Sequence, residues 1–138
     1  MIRRGTLEDA DALAAVDPFG GDRAAEAREG RLWVCADDTG VARGYASLAR
    51  CDFHGNPYVE FLFVRTEHRR QGVAARLLEA IEQRCRGRRV FISVEAPNAA
   101  MRQLLVGRGY TQAGALRGLN DDHGGAEEVF YFRDVRGE

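Results

Sequence analysis

The spacing of apolar and polar positions predicts two short helices followed by two strands at the start of the chain. Thr6 opens a capping box, and apolar residues continue at helical spacing to Val16. A second helical segment runs over about residues 22–29 and stops at a glycine. Strands are predicted at residues 31–36 and 44–49, joined by a turn rich in Asp and Gly.

Strands and amphipathic helices alternate in the rest of the chain. Two strands with continuous apolar runs, Tyr58–Val64 and residues 89–94, are expected to be buried on both faces. The helix between them, residues 73–85, carries an apolar stripe opposite a charged face. Asn98 can cap a further helix, and strands follow at residues 110–115 and about 128–133. This order predicts an α/β (α+β) fold, with a single mixed sheet of about six to seven strands flanked by about four helices.

Composition and charge narrow the class of protein. A chain of 138 residues is expected to form a single domain over residues 1–138. Its net charge of −1 argues against a general nucleic-acid-binding protein. No apolar run approaches the ~18 residues of a membrane span, and the N-terminus lacks the apolar segment of a signal peptide. We therefore expect a cytoplasmic protein with no membrane or nucleic-acid partner. The three cysteines are scattered among apolar neighbours, which predicts buried, reduced thiols without disulfides or metal.

The most informative local feature is the basic, glycine-containing turn at residues 69–74. A strand that passes through such a turn into a helix can bind phosphate, because the first N–H groups lack intrahelical partners and the helix dipole favours negative charge. All 20 basic residues are arginine, so a Walker loop, which needs a lysine, is excluded. The single glycine of the turn excludes a dinucleotide fingerprint. Gly72 and Ala74 leave room for a diphosphate, and Arg69 and Arg70 supply charge-assisted hydrogen bonds. The alternative is a basic turn that only solvates the helix start.

The strand Tyr58–Val64, the turn, the long helix and the later segments 94–98 and 104–110 together resemble the acetyl-CoA-binding core of the GNAT superfamily of N-acetyltransferases. The resemblance covers most of the chain from about Gly44 onward. It implies a fold of the acyl-CoA N-acyltransferase type, with acetyl-CoA as co-substrate and no metal. It also implies direct transfer of an acetyl group to a primary amine of a small-molecule or protein acceptor, and it leaves a homodimer open.

The same resemblance assigns roles to individual residues. The amides of the turn would cradle the pyrophosphate of coenzyme A, and the backbone of the preceding strand would pair with pantetheine like an added strand. Asn98 would contact the pantetheine or thioester region, or would serve only as a helix cap. The residues assigned to cofactor binding are Leu62, Phe63, Val64, Arg69, Arg70, Gln71, Gly72, Val73, Ala74 and Asn98.

Catalytic residues are less fully defined by the resemblance. Glu60, a carboxylate in an otherwise apolar strand, is the predicted general base, with Glu95 in reserve; the alternative is an edge residue that faces solvent. Many members of the family carry a tyrosine where this chain has Leu105, so the general acid stays unassigned. That difference motivates an alternative function, a non-catalytic acyl-CoA-binding or regulatory module. The chain also contains Tyr58, Tyr110 and Tyr131, none of which is assigned the role of general acid.

Overall fold

The computed structural model describes residues 1–137, and over this range the chain forms seven strands and four α-helices. The strands are β1 (Ile2–Arg4), β2 (Leu32–Ala36), β3 (Ala42–Leu48), β4 (Tyr58–Val64), β5 (Arg89–Glu95), β6 (Thr111–Leu116) and β7 (Glu128–Asp134). The helices are α1 (Leu7–Ala14), α2 (Arg23–Arg28), α3 (Val73–Arg84) and α4 (Ala99–Gly107), with 3₁₀ turns at Thr66–His68 and Asp121–His123. A mixed sheet of seven strands with four helices confirms the predicted fold class.

The elements predicted from the sequence lie within about two residues of those observed, and only β1 was missed. At three residues, β1 is too short to show a period. The predicted capping box is confirmed, since the Thr6 hydroxyl accepts from the Asp9 N–H at 3.2 Å and the Asp9 carboxylate accepts from the Thr6 N–H at 2.8 Å. Arg3 of β1 donates to the same carboxylate at 2.6 and 3.0 Å, so this short strand is tied to the start of α1.

Two compact units divide the chain. The first consists of Met1–Cys51 and Val59–Arg84, and its strands are ordered β1-β2-β3-β4 with antiparallel neighbours. The second consists of Asp52–Tyr58 and the chain from Cys85 onward, and its strands are ordered β5-β7-β6, also antiparallel. The single domain over residues 1–138 stays a prediction.

The core of the first unit lies between its sheet and helices α1 and α2. Its buried members are Leu13, Leu32, Val34, Ala42, Tyr45 and Phe63, with Ala27 and Phe61 packed against them. On the opposite face of the sheet, a Cβ at Gly44 would lie 3.2 Å from a methyl group of Val73 in α3 and 3.1 Å from the Val64 Cα. It would also collide with the Phe63 carbonyl oxygen. Glycine at this position therefore lets β3 pair closely with β4 beneath the start of α3.

In the second unit, β5 differs from the prediction that it is buried on both faces. Val90 and Ile92 are buried, whereas Phe91 on the other face is only half-buried. There the ring of Phe53 lies 5.4 Å from that of Phe91 and 5.9 Å from that of Phe130, measured between centroids. The prediction was wrong because aromatic side chains can cover one another while part of each ring stays in water.

The prediction for the cysteines is correct for two of the three. Cys35 and Cys85 are buried, whereas Cys51 is exposed, and none of the three forms a disulfide within residues 1–137. Cys51 follows the end of β3 in a bend, so its apolar sequence neighbours do not cover it. Within residues 1–137, no group of three or more His, Cys, Asp or Glu side chains is placed to hold a metal ion.

None of the helices in the described part of the chain has the length and apolar character needed to cross a membrane.

We expect Gly44→Ala to destabilise the protein by about 1–3 kcal/mol, because the new methyl group would collide with a backbone oxygen that cannot rotate aside. Gly114→Ala in β6 is the matched control, since no atom lies within 4 Å of a Cβ built there. Chemical denaturation measures the unfolding free energy of both variants. Equal losses in the two would contradict the close pairing of β3 with β4.

Candidate functional site

The turn predicted to bind an anion connects β4 to α3 in the first unit. Arg70 and Gly72 have positive φ angles of 63° and 77°. Left-handed residues in a turn direct successive backbone N–H groups toward one side, which is the geometry of an anion-binding nest. A Cβ built on Gly72 would meet no atom within 4 Å, so the space beside the turn is open.

The start of α3 adds further backbone donors to this space. The first bond of the helix runs from the Arg76 N–H to the Gly72 carbonyl at 3.1 Å. The N–H groups of Val73, Ala74 and Ala75 therefore come before the intrahelical ladder and have no partner within it. No acidic residue occupies the first turn, so the positive end of the helix dipole is not neutralised there.

Three exposed arginines surround the turn: Arg69, Arg70 and Arg76. Arg69 Nε donates to the Val64 carbonyl and Arg76 Nη2 donates to the Gln71 carbonyl, each at 3.3 Å. Because these partners are carbonyls, the contacts leave the guanidinium charges uncompensated. Arg76 was not among the predicted site residues. Its signal in the sequence is a position one helical turn after Gly72, from which a long side chain reaches back toward the helix start.

The register of β4 decides which of its peptide groups can pair with a ligand. The Arg65 N–H donates to the Arg43 carbonyl at 2.9 Å, so this pair is hydrogen-bonded to β3. Hydrogen-bonded and non-hydrogen-bonded pairs alternate in an antiparallel ladder. The peptide groups of Phe63 therefore face β3, whereas those of Leu62 and Val64 face away from it. The buried side chain of Phe63 belongs to the core described above.

Glu60 lies at a β-bulge in β4. Phe61 is opposite Ser47 and Val59 is opposite Leu48, so Glu60 is an extra residue without a counterpart in β3. Its side chain is exposed, whereas that of Val59 is buried. A bulge re-aims the side chain and interrupts the ladder with β3, and the carboxylate of Glu60 is exposed. The role of general base stays a prediction.

A buried ionic cluster, not predicted from the sequence, lies in the same unit. Arg23 donates to the Tyr45 hydroxyl, and that hydroxyl donates to Asp17 Oδ1 at 2.7 Å. Arg23 Nη2 donates to the Gly20 carbonyl at 2.7 Å, and Arg23 Nε lies 2.9 Å from Glu26 Oε1. Arg and Glu three residues apart on a helix usually form a solvated pair, so the burial of this pair could not be predicted from its spacing.

Burial has a large effect on the ionisation of this cluster. Burial raises the pKa of Glu26 from 4.5 to about 7; Arg23 and Arg31 oppose the shift, and repulsion from Glu60 and Asp17 adds to it. Glu26 is only 2% exposed, so its charged form loses nearly all contact with water. The carboxyl group of Glu26 therefore changes between its protonated and its ionised form near neutral pH.

Asn98 lies in the second unit at the start of α4. Its Oδ1 accepts from the Met101 N–H at 3.2 Å, which confirms the predicted helix cap. Contact with a cofactor stays a prediction, and so does the reserve role of Glu95.

The three tyrosines Tyr58, Tyr110 and Tyr131 have different surroundings in the second unit. Tyr131 is buried and accepts from Arg102 Nε at 2.9 Å, and Tyr110 is also buried. Leu105, at the position of the family's tyrosine, is fully buried. Two of the three tyrosines are therefore core residues.

Tyr58 is half-buried and belongs to a chain of hydrogen bonds. Its hydroxyl lies 2.7 Å from Ser93 Oγ, which donates to Glu128 Oε2 at 2.7 Å. Since a serine hydroxyl has one proton to donate, Tyr58 is the donor to Ser93. Asn120 Nδ2 donates to the other carboxylate oxygen of Glu128 at 2.9 Å. Tyr58 is therefore joined to the Glu128 carboxylate through the Ser93 hydroxyl.

Comparisons with known proteins give one family. The sequence model of the acetyltransferase (GNAT) family matches residues 6–110 of the chain. No curated protein matches the chain in sequence. Solved structures do match the chain, and because their sequence identities to it are low, they show its fold alone.

One is an acetyltransferase of the GNAT family from Bacillus cereus, with 18% identity, a TM-score of 0.76, and coverage of 98% of this chain and 96% of that one. A second is ribosomal-protein-alanine N-acetyltransferase from Brucella melitensis, with 21% identity, a TM-score of 0.75, and coverage of 98% and 99%. A third is NAA60 from Arabidopsis thaliana in complex with a bisubstrate analogue, with 14% identity, a TM-score of 0.76, and coverage of 100% and 99%.

The raised pKa of Glu26 predicts a pH dependence of folding stability. The folded state keeps the proton up to about pH 7, whereas the unfolded chain releases it near pH 4.5. This group's contribution is complete below about pH 4.5 and is lost as pH rises through about 7, a fall of about 3 kcal/mol. Glu26→Gln should remove that fall, because glutamine resembles the protonated form at every pH.

Urea denaturation between about pH 4 and 8 measures the effect. Glu8→Gln, at an exposed position of α1, is the matched control and should behave like the wild type. If the wild type and Glu26→Gln show the same dependence of unfolding free energy on pH, the ionisation of Glu26 is not coupled to folding.

Proposed function

The chain belongs to the GNAT family of acetyltransferases and is an enzyme of that family; on this premise we propose that it transfers the acetyl group of acetyl-CoA by direct attack of a primary amine. The amine belongs to a small molecule or a protein, and the enzyme and both substrates meet in the cytoplasm. The observation that carries the proposal is the open turn before α3, where amides that precede the helical hydrogen bonds, a left-handed glycine and exposed arginines lie together.

The pyrophosphate of coenzyme A lies in this turn. The N–H groups of residues 70–74, which include Gln71, donate to its oxygens, and the helix dipole favours its charge. Arg69, Arg70 and Arg76 add charge-assisted hydrogen bonds. Because the Val73 side chain is buried, this residue offers only its backbone to the ligand.

Pantetheine pairs with the edge of β4 that faces away from β3. The register supports Leu62 and Val64 as the residues whose peptide groups make these bonds. Phe63 supports the strand from the core side. Asn98 contacts the pantetheine or thioester through Nδ2, which its cap hydrogen bond does not use.

Acetyl transfer requires that the acceptor ammonium first lose a proton, and Glu60 takes it, directly or through a water molecule. The free amine nitrogen attacks the thioester carbonyl carbon, a C–N bond forms, and the carbonyl oxygen becomes an oxyanion. Outward N–H groups of β4 are available to stabilise that charge. The C–S bond then breaks, and the electron pair leaves with the thiolate of coenzyme A. The attacking nitrogen, which is positively charged after addition, loses its second proton to the thiolate, directly or through water, so that a neutral amide remains. The amide product and free coenzyme A are released.

We expect Gly72→Asn to raise the dissociation constant of acetyl-CoA about tenfold or more, equivalent to about 1.4 kcal/mol. Asparagine tolerates a positive φ, but its side chain would occupy the space of the diphosphate. Gly40→Asn is the matched control, since Gly40 has a φ of 88° and equally open surroundings. Isothermal titration calorimetry measures both affinities, and an unchanged constant for Gly72→Asn would refute the cradle.

We expect Glu60→Gln to lower kcat by about 10²- to 10⁴-fold, the usual contribution of a general base, with acetyl-CoA affinity unchanged. Glu79→Gln, at an exposed position of α3, is the matched control. Release of free thiol from acetyl-CoA in a screen of primary amines measures turnover. Binding of acetyl-CoA without turnover of any amine, and without an effect of Glu60→Gln, would instead indicate a non-catalytic acyl-CoA-binding module.

A further inference from the structure

The segment between α1 and α2 is packed against the strand that carries Glu60. The Phe19 ring is stacked on that of Phe61 at 5.5 Å and meets that of Phe63 edge-on at 6.4 Å, between centroids. Phe61 directly follows Glu60 in the chain. Phe19 is 42% exposed, so part of its ring is open to solvent where it packs on Phe61.

One buried guanidinium holds this segment in place. The Arg23 guanidinium lies 4.2 Å from the centre of the Phe61 ring and donates to the carbonyl of Gly20 at 2.7 Å. A Cβ at Gly21 would collide with Arg23 Nη2 and would lie 2.9 Å from the Phe61 ring. The backbone at Gly21 therefore passes through a narrow space between the Arg23 guanidinium and the Phe61 ring, and the position of the guanidinium sets the width of that space.

Carboxylates outnumber cations around this guanidinium. Asp17 Oδ2 lies 3.5 Å from Arg23 Nη1, and Glu26 Oε1 lies 2.9 Å from Arg23 Nε. Arg31 at the start of β2 and Glu60 of β4 act on Glu26 at longer range. The contact between Arg23 Nε and Glu26 Oε1 lacks the alignment of a hydrogen bond. Glu26 Oε1 is therefore a buried carboxylate oxygen that approaches the guanidinium without a hydrogen bond to satisfy it.

We infer that Arg23 and Glu26 are positioning residues for the acceptor: Arg23 holds Phe19 and its segment against Phe61 beside Glu60, and the charge of Glu26 sets how firmly it does so. The inference rests on the proposed function only in placing the acceptor amine near Glu60. When Glu26 is neutral, the Arg23 guanidinium interacts mainly with Asp17, the Tyr45 hydroxyl and the Gly20 carbonyl. Ionised Glu26 competes for the same guanidinium and is itself destabilised by burial. The segment is therefore held more firmly below about pH 7 than above it.

Amide hydrogen exchange of residues 15–22 tests the inference without any turnover. After correction for intrinsic rates, protection in the wild type should fall about tenfold between about pH 6 and about pH 8, the change expected of a group whose pKa is about 7 when folded and 4.5 when exposed. Glu26→Gln should show no such fall, and Glu8→Gln should behave like the wild type. Protection with the same pH dependence in the wild type and in Glu26→Gln would overturn the inference.

Steady-state kinetics test the consequence for the acceptor. The probe is 2-phenylethylamine, whose ring can pack on Phe19, or the fastest amine of the screen. The ratio of acceptor kcat/KM between the wild type and Glu26→Gln cancels the titration of the amine and of Glu60. It should fall up to about tenfold across about pH 7, with the KM for acetyl-CoA unchanged. A flat ratio would overturn the inference.

Arg23→Lys keeps the positive charge but loses the planar fork that reaches several partners at once. It should raise the acceptor KM at every pH several-fold more than it changes the KM for acetyl-CoA. Equal changes in both constants would make Arg23 a general structural residue and overturn its positioning role. Failure of every amine to react would count against the proposed function, whereas the exchange measurement would still decide the inference.

Discussion

The antiparallel pairing of β3 with β4 is the constraint on which the rest of the structure depends. Gly44 allows the two strands to approach beneath α3, and the pairing directs the peptide groups of Leu62 and Val64 away from β3. The same pairing leaves Glu60 as the extra residue of a bulge. It also fixes where β4 ends, and so where the turn delivers the chain into α3. One strand pair thereby orients the edge proposed to bind pantetheine, the candidate base and the turn proposed to bind pyrophosphate.

Much of the fold could be predicted because its signals are local. The apolar run of β4, the stripe of α3 and the caps at Thr6 and Asn98 each lie within a few neighbouring residues. The elements that sequence reasoning missed depend on distant partners. β1 exists because it pairs with β2 and because Arg3 reaches Asp9. The half-open face of β5 depends on Phe53, which lies in a loop of the same unit.

The candidate site also contains features with local sequence signals and features that depend on distant partners. The turn was predictable because unpaired amides at a helix start follow from the chain alone. The bulge at Glu60 was not, because it is a mismatch between two strands and appears only in their register. The Arg23 cluster was hidden for a related reason. Its burial depends on Tyr45 and Phe61, which lie on two different strands, while its own short helix shows only an ordinary charged pair.

The proposed recognition of the donor through main-chain atoms has a consequence for how such a protein can diverge. The backbone N–H groups of the turn do not depend on which side chains accompany them, and the side chain of Val73 is buried in the core. Natural variation can therefore replace side chains of the turn without erasing the amide donors, provided that the positive φ at Gly72 and the small size of Ala74 persist. Selection on the donor site then acts on chain conformation, whereas selection on the acceptor side acts on exposed side chains such as Phe19. The two halves of one reaction are thus free to evolve at different speeds.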